Sequence, residues 1–142
     1  MTLSFQIAVD CADPHRLARF WAAAVDYEVE DHHDQIAKIL AAGYASEDDT
    51  IEIDGRKAWK IAAACSDPGG TGPRLLFQAV PEPKTVKDRI HLDLHRDLSD
   101  DARDREVQRL VALGATKLWD GQQGPLRWVT MADPEGNEFC VN

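Results

Sequence analysis

A chain of 142 residues, 44% hydrophobic and 29% charged, has the length of one domain and enough apolar material to bury a core without disulfide staples. Its formal net charge of −9, with no basic cluster to reverse it locally, argues against a polyanionic partner, so neither nucleic acid nor an anionic membrane is expected. Cys11, Cys65 and Cys140 are odd in number, far apart and without a C-x-x-C spacing; they indicate neither a disulfide framework nor a zinc knuckle, and predict a reducing, cytoplasmic setting. No run approaches the roughly 18 apolar residues of a membrane helix, and the opening residues show no signal-peptide pattern, so export is not expected.

Leu3 to Asp10 alternates, with Leu3, Phe5, Ile7 and Val9 on one face and Ser4, Gln6, Ala8 and Asp10 on the other, which predicts a half-buried strand. Asp13-Pro14 supplies an N-cap and a first-turn proline for a helix whose Leu17, Phe20, Trp21, Ala24 and Val25 recur at helical spacing. That helix is expected to cover the apolar side of the first strand. Tyr27 to Glu30 reads as a short strand, and Asp34 to Ala42 as an inserted helix stopped by Gly43. Glu47, Asp48 and Asp49 form an acidic, solvated loop. His15, His32 and His33 are expected at the surface.

Thr50 to Ile53, Asp54-Gly55 and Ala58 to Cys65 predict a hairpin, followed by a loop over Ser66 to Pro73 and a strand from Arg74 to Val80. Glu82 to Lys87, held extended by Pro81 and Pro83, joins this half to the next. There Arg89 to His95 alternates strictly, with Ile90, Leu92 and Leu94 opposite His91, Asp93 and His95. Ser99 opens a helix with Val107, Leu110, Val111 and Leu113 on one stripe and Gly114 at its end. Three strands follow: Ala115 to Trp119, Arg127 to Ala132 and Glu138 to Val141, separated by turns at Asp120 to Pro125 and Asp133 to Asn137. The order strand, helix, three strands thus occurs twice, the first time with an insertion spanning about 31–57, as in a duplicated βαβββ unit.

The chain resembles the vicinal oxygen chelate superfamily of glyoxalase, bleomycin-resistance and extradiol-dioxygenase proteins, and within it the small bacterial glyoxalase-like domain proteins. The resemblance rests on Val9-Asp10-Cys11-Ala12-Asp13-Pro14 with Leu17-Ala18-Arg19-Phe20-Trp21, on Leu75 to Lys84, on Arg89 to Leu94, and on Met131 to Cys140, in that order and across nearly the whole chain. It implies one α+β domain over 1–142 whose two βαβββ modules, about 1–82 and about 88–142, form a half-open mixed β-sheet barrel around a cleft, with helices outside. It also implies a homodimer.

Members of that superfamily that hold a metal use positions that fall here on Gln6, Gln78, His91 and Cys140. One imidazole, two amides and one thiol are poor donors for a divalent ion, so no catalytic metal is expected. The implied cleft residues are Gln6, Asp10, Gln78, His91, His95, Trp128 and Cys140, with His91 and Asp93 as the pair able to move a proton. Two readings of that pair stand: a catalytic dyad, or a hydrogen bond that only stiffens the cleft. Cys140 is either a small packing residue or a nucleophile, and Trp59, Trp119 and Trp128 either line the cleft or fill the core. The expected function is small-molecule binding without a metal. The alternatives are a lyase, isomerase or dioxygenase using His91, and an interaction domain whose cleft is a partner surface.

Overall fold

Main-chain pairing in the computed structural model, which describes residues 1–142, sorts the chain into two compact units, Met1–Pro81 and Glu82–Asn142. The first contains β1 (Gln6–Cys11), α1 (Pro14–Val25), β2 (Glu28–Val29), α2 (His33–Ala41), β3 (Thr50–Ile53), β4 (Arg56–Trp59), β5 (Ala62–Ser66) and β6 (Arg74–Ala79). The second contains β7 (Asp93–Leu94), α3 (Asp100–Leu113), β8 (Thr116–Gln123), β9 (Leu126–Ala132) and β10 (Glu138–Val141). Their four-stranded sheets run β1-β6-β5-β2 and β7-β10-β9-β8. In each, the first strand lies parallel to the last and the other neighbours are antiparallel. The duplicated βαβββ plan is therefore present, in two mixed sheets neither of which closes into a barrel.

Local chemistry explains the helix ends. The Asp13 carboxylate accepts from the Arg16 N–H at 3.0 Å before Pro14 opens α1, and Asp26 closes it in the left-handed region at φ 58°. Ser99 accepts from the Ala102 N–H at 3.3 Å to open α3, and Gly114 ends it at φ 119°. In the first unit Leu17, Trp21, Cys65 and Phe77 are buried where α1 packs on β5 and β6. In the second, Leu110, Met131, Phe139 and Val141 form the core beneath α3.

Several expectations need correction. The first helix covers the sheet centre, β5 and β6, rather than chiefly β1, which lies at the sheet's edge. Leu3 and Phe5 precede β1 and are exposed; only Ile7, Val9 and Cys11 face inward. The run Ala58 to Cys65 is two strands broken at Lys60-Ile61: β4 pairs with β3 in a separate hairpin, whereas β5 joins the main sheet. The insertion is therefore α2 plus a whole hairpin, with Asp54 (φ 51°) and Gly55 (φ 76°) making its primed turn. Glu47–Asp49 is a 3₁₀ turn, and Glu47 pairs with Lys57 of β4 at 2.6 Å. His15 and His33 are half-buried staples: His15 Nε2 donates to the Trp59 carbonyl at 2.7 Å, and the Lys57 N–H donates to His33 Nδ1 at 2.9 Å.

In the second unit β8 runs on to Gln123, so the turn shrinks to Gly124-Pro125. Val111 and Leu113 lie on the exposed side of α3, and Arg103 takes the expected apolar place, bonded to Asp100 at 2.7 Å and to the Leu98 carbonyl at 2.9 Å. The strand at 89–95 contracts to Asp93–Leu94, tied by Cys140 N–H to Leu92 O at 2.9 Å and Asn142 N–H to Leu94 O at 3.0 Å. Continued backwards, that register sets Ile90 opposite Asn137, whose amides are engaged by the Asp133 carboxylate in the preceding turn. Ile90 consequently lies 86% exposed rather than in the core, while Leu92 and Leu94 are half-buried.

Phe139 is 1% exposed, so Phe139→Ala is expected to destabilise by about 3–5 kcal/mol and Ile90→Ala by less than about 0.5 kcal/mol; urea unfolding of both variants checks the contrast. A second expectation concerns acid. Hydrogen bonds from Arg74 (2.7 Å) hold Glu30 at about 2, below the 4.5 of a free glutamate, with Ser66 and His32 adding to the effect against burial. A depressed carboxylate stabilises the fold above its unfolded value and loses that contribution as pH falls from about 4.5 to about 2. The Tm gap between wild type and Glu30→Gln is expected to be widest at neutral pH and to close across that window, as thermal scans at stepped pH will measure.

Candidate functional site

The second unit holds a pocket of about 350 Å³ lined by Lys87, His91, Asp93, Trp119, Trp128, Thr130, Glu138, Cys140 and Asn142. Period-two alternation explains its walls. Trp128 and Thr130 on β9, and Glu138, Cys140 and Asn142 along β10, point to one side of the sheet, while Val129, Met131, Phe139 and Val141 are buried on the other. The parallel pairing of β7 with β10 sets Asp93 opposite Cys140, and His91, two residues earlier, joins the same side.

Trp119 reaches the pocket by a different device. Lys117 pairs with Met131 but Trp119 pairs with Thr130, so β8 carries one extra residue, Leu118, against β9. Without that bulge Trp119 would oppose Val129 on the helix side; the bulge turns its indole to the pocket side. Trp128 lies across the chain from Gly121, and a Cβ at Gly121 would stand 2.1 Å from its Cε2. The glycine thus leaves the space in which the indole lies against the β8 backbone.

The polar groups are paired in a defined order. His91 Nδ1 lies 2.8 Å from Asp93 Oδ1, so against an ionised carboxylate Nδ1 carries the hydrogen and Nε2 keeps its lone pair. Glu138 is bound by Lys84 Nζ at 3.1 Å and by the Asp88 N–H at 3.0 Å. Burial works upward on its carboxyl, but those two donors outweigh it and hold it below the usual range. Burial pushes the Cys140 thiol up; the Thr130 hydroxyl, 3.6 Å away, opposes this and the Asp93 charge adds to it. A thiol held protonated is a packing group and a weak donor rather than a ready nucleophile.

His91, Asp93, Trp128 and Cys140 are therefore brought together. His95 is not: its backbone enters the left-handed region at φ 62°, ending the alternation, and its Nε2 pairs with Glu106 Oε1 of α3 at 3.2 Å. Arg109 first, with His95, holds that glutamate at about 2. Gln6, Asp10 and Gln78 belong to the first unit, where Asp10 lies opposite Gln78 in the β1–β6 register and the Gln6 amide oxygen accepts from Arg74 at 3.0 Å. Asp10 thus lies opposite Gln78 as Asp93 lies opposite Cys140, with Ala8 two residues before Asp10 as His91 is before Asp93.

Sequence reasoning missed Lys87, Thr130, Glu138 and Asn142, although alternation through β9 and β10 already places the last three on the Cys140 side. The three potential donors His91, Asp93 and Cys140 lie within 4.8 Å of one another. The superfamily's metal positions fit a divalent ion poorly here, since Gln6 and Gln78 are neutral amides and only His91 and Cys140 remain as stronger donors.

The Glyoxalase-like domain family matches residues 6–142. A glyoxalase/bleomycin resistance protein/dioxygenase family enzyme from Burkholderia phytofirmans is similar in structure at 17% identity, with a TM-score of 0.59 over 96% of this chain and 94% of that one. A mutant of the fosfomycin resistance protein FosX from Listeria monocytogenes, complexed with Mn(II) and 1S,2S-dihydroxypropylphosphonic acid, is similar at 12% identity, with a TM-score of 0.60 over 100% of this chain and 90% of that one. TioX from Micromonospora sp. is similar at 17% identity, with a TM-score of 0.51 over 99% of this chain and 97% of that one. No curated protein matches the sequence significantly, and no helix is long and apolar enough to cross a membrane. The chain belongs to the glyoxalase-like domain family.

Proposed function

We propose that this protein binds a small, planar organic molecule in the pocket of its second unit, without a catalytic metal. The observation that carries the reading is the conjunction of two indoles, Trp119 and Trp128, with the His91–Asp93 hydrogen bond in one pocket of about 350 Å³. The indole set by Gly121 offers an aromatic contact, and His91 Nε2, its tautomer held by Asp93, accepts a hydrogen bond from a ligand hydroxyl or amine. Lys87 supplies a flexible cation at the rim.

The same His91–Asp93 pair favours a second reading, an enzyme that removes a proton from its substrate. Nε2 is then the base, and Asp93 stabilises the imidazolium that forms. A metal-assisted reaction draws its support from the closeness of His91, Asp93 and Cys140.

Protein purified without a metal-chelating tag is expected to retain well under one equivalent of Zn, Ni, Fe or Mn by elemental analysis. Stoichiometric metal that survives dialysis and is lost on His91→Ala would sink the metal-free reading. Screening aromatic compounds by thermal shift is expected to yield ligands whose stabilisation weakens in His91→Ala, while the Tm of the free variant changes little, because the imidazole is not sealed in the core. Gly121→Ala is expected to displace the Trp128 indole, lowering stability by about 1–3 kcal/mol, altering the near-ultraviolet circular dichroism and reducing the ligand-induced shift.

A further inference from the structure

The repeated plan accounts for β1, α1, β2, β5 and β6 of the first unit, but α2 and the β3–β4 hairpin have no counterpart in the second. The hairpin and the segment Val29–His32 leading into α2, with α1 and β5, line a cavity of about 310 Å³, inside the range of small-molecule sites. A two-stranded hairpin is marginal alone, and this one is held in place by α2, by the Trp59 carbonyl accepting from His15, and by the Lys57 N–H donating to His33.

We propose that this insert cavity is a second ligand site, for a small organic monoanion with an apolar body. Val29, Ile53, Trp59, Ala62 and Ala63 give it an apolar lining. Most of its charged groups are already matched: Arg56 with Asp31 at 2.5 Å, Lys57 with Glu47 at 2.6 Å, and Glu30 with Arg74 at 2.7 Å and His32 at 3.1 Å. The exposed side chain of Arg19, one turn beyond His15 on α1, has neither a hydrogen bond nor an ion pair. Its planar guanidinium presents parallel donors suited to a carboxylate. Asp54, at the hairpin turn, is the lining carboxylate without a partner, and it repels a second negative charge on the ligand.

The proposal does not rest on the second unit's pocket, and the experiment separates the two. The full-length protein, labelled with ¹⁵N, is titrated with benzoate, benzamide, benzylammonium and phthalate while the Trp59 indole N–H and the amides of α2 and the hairpin are followed by NMR. Benzoate is expected to move these signals and to bind up to about fivefold more tightly than benzamide, the size of one solvent-exposed ion pair. Benzylammonium and phthalate are expected to bind more weakly than benzoate. Arg19→Gln is expected to erase the preference for benzoate over benzamide, Arg19→Lys to keep only part of it because lysine retains the charge but not the parallel donors, and His91→Ala to leave it unchanged. Equal binding of benzoate and benzamide in wild type, absence of shifts in the insert, or a preference that disappears with His91→Ala but survives Arg19→Gln would each overturn the proposal.

Discussion

Parallel pairing between the first and last strands of each unit is the constraint on which the rest depends. Two parallel strands cannot be joined by a tight turn, so the chain must cross over, and in both units the crossover begins with a helix. Once the outer strand is set, the antiparallel strands between helix and last strand follow as hairpin neighbours or longer returns. Chemistry inherits this arrangement. Asp93 and Cys140, 47 positions apart in the chain, face one another only because β7 lies beside β10 in that register. A shift by one residue would turn the Cys140 side of β10 toward the helix and dismantle the pocket.

Within this repeated plan the two units have diverged by different means. At the places where the second unit carries His91, Asp93, Thr130 and Cys140, the first carries Ala8, Asp10, Ala62 and Gln78. The second unit thus sets its imidazole–carboxylate pair, His91 with Asp93, on the strand beside β10, whereas the first pairs His32 with Glu30 after β2. The first unit instead has an insert of a helix and a hairpin that builds a cavity of its own, stapled by two histidines whose ring nitrogens meet backbone groups. Divergence has fallen on side chains in one unit and on chain length in the other. Loops tolerate added length because the entropy of closing a longer loop grows slowly.

Two small irregularities decide the character of the second unit's pocket. The extra residue at Leu118 reverses the facing of Trp119, and the missing side chain at Gly121 admits the Trp128 indole. Neither involves a charged group. Together they put two aromatic surfaces beside a histidine whose tautomer is set by its neighbour. Burial pushes the Cys140 thiol up and so disfavours its thiolate.

Much of this was legible in the sequence, because amphipathic period and capping are local properties. Asp13-Pro14, Ser99 and Gly114 mark helix ends through bonds made within a few residues, and the alternation of Ile7 with Ala8, or of His91 with Leu92, follows from strand geometry alone. The order strand, helix, three strands and its repetition needed nothing more. What no local pattern contains is which strand lies beside which and how far their pairing extends. Ile90 reads as core but has only a turn opposite it; His95 reads as cleft but turns to Glu106 when its backbone enters the left-handed region. The run from Ala58 to Cys65 reads as one strand, yet its halves belong to different sheets. The sequence by itself determined the elements, their order and the face of each on which polar residues stand. The tertiary structure alone decided which polar residues meet, because pairing register and bulges depend on neighbours far away in the chain.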